Sequence, residues 1–91
     1  MSRVIRATIL SILEGDEDFY EQLRSQGLLP HDEQTLAPDH VELARVTHTL
    51  VRELEVNWAG VEIVLRMRSE LIDTRKQVAE LLSLLHRTRK Q

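Results

Sequence analysis

Apolar residues recur along this chain with helical spacing in four stretches, separated by glycine, proline and polar runs. From Thr8 to Glu14, residues Ile9, Ile12 and Leu13 fall at i, i+3 and i+4, which predicts a short amphipathic helix stopped by Gly15. Asp16 suits the N-cap of a second helix, and Glu17 and Asp18 suit the positive end of its dipole. Gly27 offers a left-handed residue to end that helix, Leu28 is placed to meet Leu23, and Pro30 reinforces the stop. Leu29 to Ala37 is a polar connector, open to either a short two-stranded wing or an irregular loop. Pro38 opens a third helix, with Leu36 placed to staple onto Val41. Leu43, Val46, Leu50 and Leu54 mark its expected buried face, flanked by Ala44 and Val51. Asn57 then reads as an N-cap, Trp58 as the first residue of a fourth helix, and Val56 and Val61 as a staple around that start.

The fourth helix meets no glycine or proline after Gly60 and is expected to run nearly to the end, on the order of 45 Å. Val64, Leu71, Val78 and Leu85 repeat every seven residues, with Leu81 and Leu82 beside the last two. Arg68 and Arg75 interrupt the positions four residues on, so the seam is expected to be clean only in its second half. A small core cannot cover so long a helix. Leu71, Val78, Leu81, Leu82 and Leu85 are therefore assigned to a homodimer interface.

Size and charge narrow the class. Ninety-one residues are expected to form one domain, 1–91, divided into 7–36, 37–57 and 58–89. A chain this short buries only about 60–65% of the surface its unfolded form exposes. No cysteine staples it, and small unstapled cores are often supplemented by oligomerisation. The start lacks a secretory pattern and no apolar run is long enough for a membrane, so a cytoplasmic location is expected. From Glu14 to Asp39 eight acids face only Arg24, a net of −7, whereas Arg66 to Lys90 carries seven bases and three acids, a net of +4. Such an acidic front half argues against contact with a phosphate backbone.

Catalytic chemistry finds little support. His31, His40, His48 and His86 lie on different elements or far apart, without metal-ligand spacing, and His40 and His48 read as solvated or capping residues. Ser11, Ser25, Ser69 and Ser83 have no elbow or triad context. Asp16-Glu17-Asp18 lacks the spaced ligands of a calcium loop and reads as a charged first turn. Three glycines cannot build a phosphate cradle, and Phe19, Tyr20 and Trp58 cannot make a stacking platform for single strands. The expectation is a non-enzymatic protein without metal or cofactor that acts by binding a macromolecule.

The order of short helices, the Gly27-Leu28-Leu29-Pro30 connector, the wing-length loop and two longer helices resembles the winged helix-turn-helix of the MerR family. Arg52-Glu53-Leu54 followed by a new N-cap resembles that family's junction into its next helix. A narrower resemblance rests on Pro38-Asp39-His40, on Leu50 through Leu54, and on Glu55-Val56-Asn57-Trp58-Ala59-Gly60-Val61 with Leu65. These look like the chaperone-modulator (CbpM-like) family, which carries Glu-Leu-x-x-Asp-Trp-x-Gly-Ile at this place. Here Asn57 stands where Asp is common and Ala59 where Pro is common, and both keep a helix start. The match covers Ala37 to about Leu71 well and Asp16 to Pro30 loosely.

The resemblance implies an all-α, MerR-like domain with a short wing or loop and a long C-terminal helix, dimeric. It further implies a modulator that binds the J-domain of a curved-DNA-binding DnaJ homologue and inhibits its work with a DnaK-type chaperone. Leu54, Asn57, Trp58, Gly60 and Val61 are read as filling the junction of the last two helices rather than as a binding surface. Asp16, Glu17, Asp18 and Glu21 are assigned to the partner contact, with Phe19 and Tyr20 as apolar anchors if exposed. MerR regulators place a DNA-contacting Arg on their second helix, where this chain has Glu21 or Asp18, depending on alignment. An acid there repels phosphate. A MerR-type DNA-binding regulator or accessory protein, using the basic last helix or the wing, is the alternative, and a purely structural dimer is a further rival.

Overall fold

The computed structural model describes residues 2–89, and every regular element among them is helical. The chain divides into two compact units, Met1–Val56 and Asn57–Gln91.

In the first unit, α1 spans Ser2–Ile12, starting well before the expected Thr8. Ile5, Ile9 and Ile12 continue one stripe at i, i+4 and i+7, and no breaker lies between Arg3 and Leu13, so the helix extends back along it. Ile9 and Leu13 are buried. The helix closes with a bond from the Glu14 N–H to the Ser11 carbonyl (3.1 Å) and one from the Gly15 N–H to the Leu10 carbonyl (2.8 Å). That closure puts Glu14, not Gly15, at the first left-handed position, with φ 58°. The same pair of bonds ends α2 (Glu17–Ser25), from Gly27 to Arg24 and from Leu28 to Leu23, with Gly27 at φ 76° as the sequence suggests.

The connector contains one 3-10 turn, Glu33–Thr35, and no strand of a wing forms among the described residues. Asp32 accepts a bond from the Gln34 N–H (2.9 Å) and nucleates the turn, while Arg6 pairs with Glu33 at 2.8 Å. Leu29 and Leu36 are buried at its two ends, so local side-chain bonds and two apolar anchors take the place of strand pairing.

α3 spans Pro38–His48. His40 Nδ1 accepts the Ala37 N–H at 2.9 Å, which assigns His40 to capping. The chain then widens into one π-helical turn, Thr49–Glu53, with the Leu54 N–H bonded back to the Thr49 carbonyl. The expected buried face is corrected here. Ala44 and Thr47 are the fully buried residues of α3, Leu43, Val46 and Leu50 are half-buried, and Leu54 is 63% exposed. A π turn inserts a residue, and the rotation carries Leu54 off the stripe that a continuous α-helix would have kept.

In the second unit, α4 spans Trp58–Arg89. Asn57 caps it, its side-chain oxygen accepting the Gly60 N–H at 2.8 Å. Among the described residues no helix is long and apolar enough to cross a membrane.

Two substitutions probe the first unit. Glu14→Gly relieves a left-handed L-residue, a conformation that costs on the order of 1 kcal/mol, and should raise the melting temperature by roughly 4–8 °C. A lower melting temperature would contradict the closure described. Tyr20 Oη is buried and bonded by no protein group among the described residues. Tyr20→Phe should therefore leave stability unchanged or improve it by up to about 1 kcal/mol, and a larger loss would reveal a bond to that hydroxyl.

Candidate functional site

The acidic helix α2 is held at its start by a side chain from far along the chain. Asp16 Oδ1 accepts the Phe19 N–H at 3.0 Å, and Asp16 Oδ2 receives Arg52 Nη2 at 3.0 Å. The Arg52 guanidinium also lies 5.1 Å from the Phe19 ring centre, and His48 meets that ring edge-on at 5.3 Å. The Phe19 amide bond holds the Asp16 carboxyl below the usual carboxylate range; burial opposes this, and Arg52, with a smaller contribution from His48, adds to the lowering. Leu13, Glu14, Asp16, His48, Arg52 and Glu53 line an open cleft of about 490 Å³ here. Among the described residues no three His, Cys, Asp or Glu side chains are grouped to hold a metal ion.

Phe19 and Tyr20, assigned as anchors for a partner, belong instead to the core: they are 0% and 2% exposed. With Leu23 they form the inward stripe of α2 at i, i+1 and i+4, and the Arg6 guanidinium covers the Tyr20 ring at 5.3 Å. Burial also pushes the Tyr20 phenol above its ordinary value. What this inward stripe leaves outside is the acidic face. Glu17, Asp18 and Glu21 are exposed, and at i, i+1 and i+4 they share one side of the helix. Glu21 pairs with Arg24 at 2.8 Å, whereas Glu17 and Asp18 have no ion-pair partner among the described residues. Asp16 is half-buried and occupied with its cap and with Arg52, so it holds α2 rather than offering a free charge. The first unit carries five basic against eleven acidic residues, a net of −6, and the second seven against four, a net of +3.

The second unit presents the assigned seam openly. Leu71, Val78, Leu81, Leu82 and Leu85 are each 49–60% exposed. Met67, outside the assigned set, is also 62% exposed. Three residues after each heptad position stand Met67, Thr74, Leu81 and Thr88, so the apolar positions from half-buried Val64 onward are interrupted by threonine twice. Counting three residues on, rather than four to Arg68 and Arg75, was the signal available in the sequence. A groove of about 540 Å³ on α4 is lined by Val64, Met67, Leu71 and Thr74, with Arg68 and Glu70 at its edges. Of the residues assigned to the junction, Val61 is buried, Trp58 and Gly60 are half-buried, and Asn57 and Leu54 are exposed.

No family model matches the chain, and neither a curated protein nor a solved structure matches it.

The Asp16 pairing has a definite pH signature. A carboxyl whose pKa is lowered on folding stabilises the fold above its unfolded value, about pH 4, and that contribution is lost as pH falls through the folded value. Asp16→Asn keeps an acceptor for the Phe19 N–H but removes the charge facing Arg52. The parent should melt above this variant at neutral pH, and the gap should close below pH about 4. A gap of the same size at both ends of that range would exclude the charge as its cause.

Proposed function

We propose that this chain is a chaperone modulator, which uses the acidic face of α2 to bind the J-domain of a DnaJ-like co-chaperone and inhibit its work with a DnaK-type chaperone. The observation that carries the reading is the exposure of Glu17, Asp18 and Glu21 together on a helix anchored at both ends. J-domains as a class dock a basic helix onto a negatively charged surface of the DnaK-type protein, and a rigid acidic helix offers a substitute surface. The CbpM-like residues from Pro38 to Leu65 support the same reading, as does the acid borne by α2 where a MerR-type regulator would meet DNA. In this reading the protein acts in the cytoplasm as a homodimer joined through α4. Sedimentation at high micromolar concentration should find two copies, and a monomer there would remove the dimer from the reading.

With Phe19 and Tyr20 inside the core, the contact is electrostatic at α2 itself. Complementary charge acts mainly on the association rate and on orientation. Reversing Asp18 and Glu21 to Lys should slow association with a J-domain several-fold at low salt, with the helical circular dichroism unchanged. The difference should shrink at roughly 1 M salt, where charges are screened over about 3 Å. A double variant that binds as fast as the parent at low salt would overturn the acidic-surface reading. Salt-steep retention of the parent on duplex DNA would instead favour the DNA-binding alternative.

A further inference from the structure

The π turn after α3 is at odds with the residues that form it. Leu54 stands ten residues after Ala44, seven after Thr47 and three after Val51, so an unbroken α-helix would gather all four within an arc of about 80°. Ala44 and Thr47 are fully buried and Val51 is half-buried, which makes that arc the inward face of α3. The turn instead leaves Leu54 63% exposed and sets Glu55 in the left-handed region at φ 56°. Both are costs. What offsets them is Arg52, which the turn delivers to Asp16 Oδ2 at 3.0 Å and to the face of Phe19. We infer that Thr49–Leu54 is a two-register switch held by this pair: with Arg52 on Asp16 the turn is π, and without the pair it closes to α and carries Leu54 inward.

The backbone makes either register without losing a bond. The Leu54 N–H now donates to the Thr49 carbonyl at 3.1 Å, and the Val56 N–H to the Leu50 carbonyl at 2.8 Å. In the α register the same two carbonyls accept from Glu53 and Leu54, four residues on, and the Val56 N–H is released to water. Two bonds replace two, so the balance falls to the side chains. Leu54 favours one register and Arg52 the other. An equilibrium of this kind moves with any ligand that favours one of its states.

The holding pair is open to such a ligand. Arg52 and Asp16 keep 47% and 32% of their side-chain surface exposed. Glu14, Glu53 and His48 stand with them around the open cleft, so three acids there face one arginine. A basic side chain that takes Asp16 competes with Arg52 and releases the turn. The co-chaperone proposed above would bring such side chains to the same helix. That link rests on the proposed function, whereas the switch itself does not.

The chain has no cysteine, so Leu54→Cys in the full-length protein carries one thiol, and its alkylation by iodoacetamide reports burial at that position. Adding Arg52→Gln, or Asp16→Asn, which keeps an acceptor for the Phe19 N–H, should slow alkylation roughly tenfold. With Leu54 restored, the same two variants should exchange the Val56 amide hydrogen faster than the parent, while Ala44 and Thr47 stay protected. An unchanged thiol rate or an unchanged Val56 amide in either variant would show that the π turn stands without the pair, and would overturn the switch. Exchange that quickens through all of α3 together would show unfolding in place of a second register, and would overturn it equally. Addition of a J-domain to the parent tests the link separately. Binding that quickens Val56 exchange supports it, since simple coverage by a partner would slow that amide. Binding that leaves Val56 slow overturns the link alone, and a J-domain that does not bind overturns the proposed partner while the two variants still decide the switch.

Discussion

The first unit depends on Phe19. Its ring is fully buried, its N–H is the donor that Asp16 caps, and its faces and edge receive Arg52 and His48. One residue thus ties the start of α2 to the end of α3 and to the π turn after it, across 36 positions of chain between Asp16 and Arg52. At the other end of α2, the Gly27 closure and buried Leu29 direct the chain into the connector. Held at both ends, α2 has little freedom to tilt. Its outer acids are presented as a fixed set, which matters because pre-ordered charge spends less entropy on binding than a mobile loop does.

The two units divide the charge and the exposed apolar surface between them. The first buries most of its large apolar side chains, Val4 and Leu54 excepted, and offers acid, and the second buries Val61 and exposes a leucine-rich stripe beside basic residues. Contiguous exposed apolar surface on a protein marks an interaction site. An acidic patch suited to fast, salt-sensitive encounter and an apolar stripe suited to lasting association are different devices. The two devices use different residues, so in the proposed function lasting self-association and reversible encounter would not compete.

Local signals made much of this visible in the sequence. Asp16, Gly27, Pro38 and Asn57 mark helix boundaries through chemistry that acts within four residues, and each does so in the structure. The exposed stripe of α4 followed from a repeat that needs no knowledge of the rest of the chain. The features that stayed hidden were non-local or geometric. The sequence cannot say that Arg52 reaches Asp16, and adjacent aromatics on a nine-residue helix do not declare which side faces inward until the packing around them is known. The exposure of Leu54 was hidden for another reason. Its spacing fits an α-helix well, and only the π turn before it breaks the arithmetic.

That turn makes the segment sensitive to length more than to composition. Apart from Arg52, whose side chain reaches Asp16 and Phe19, the widened loop of backbone between Thr49 and Glu53 is defined by its bonds more than by the identity of its side chains. Loss of one residue there would let the segment relax into a regular α-helix and rotate the residues after it by about 100°. A deletion just before Arg52 would swing its guanidinium away from both Asp16 and the Phe19 ring, leaving the cap of the acidic helix without its ion pair by a change that leaves every one of its own residues in place. Natural variants of this chain should therefore keep the number of residues in this stretch, and keep Arg52 within it.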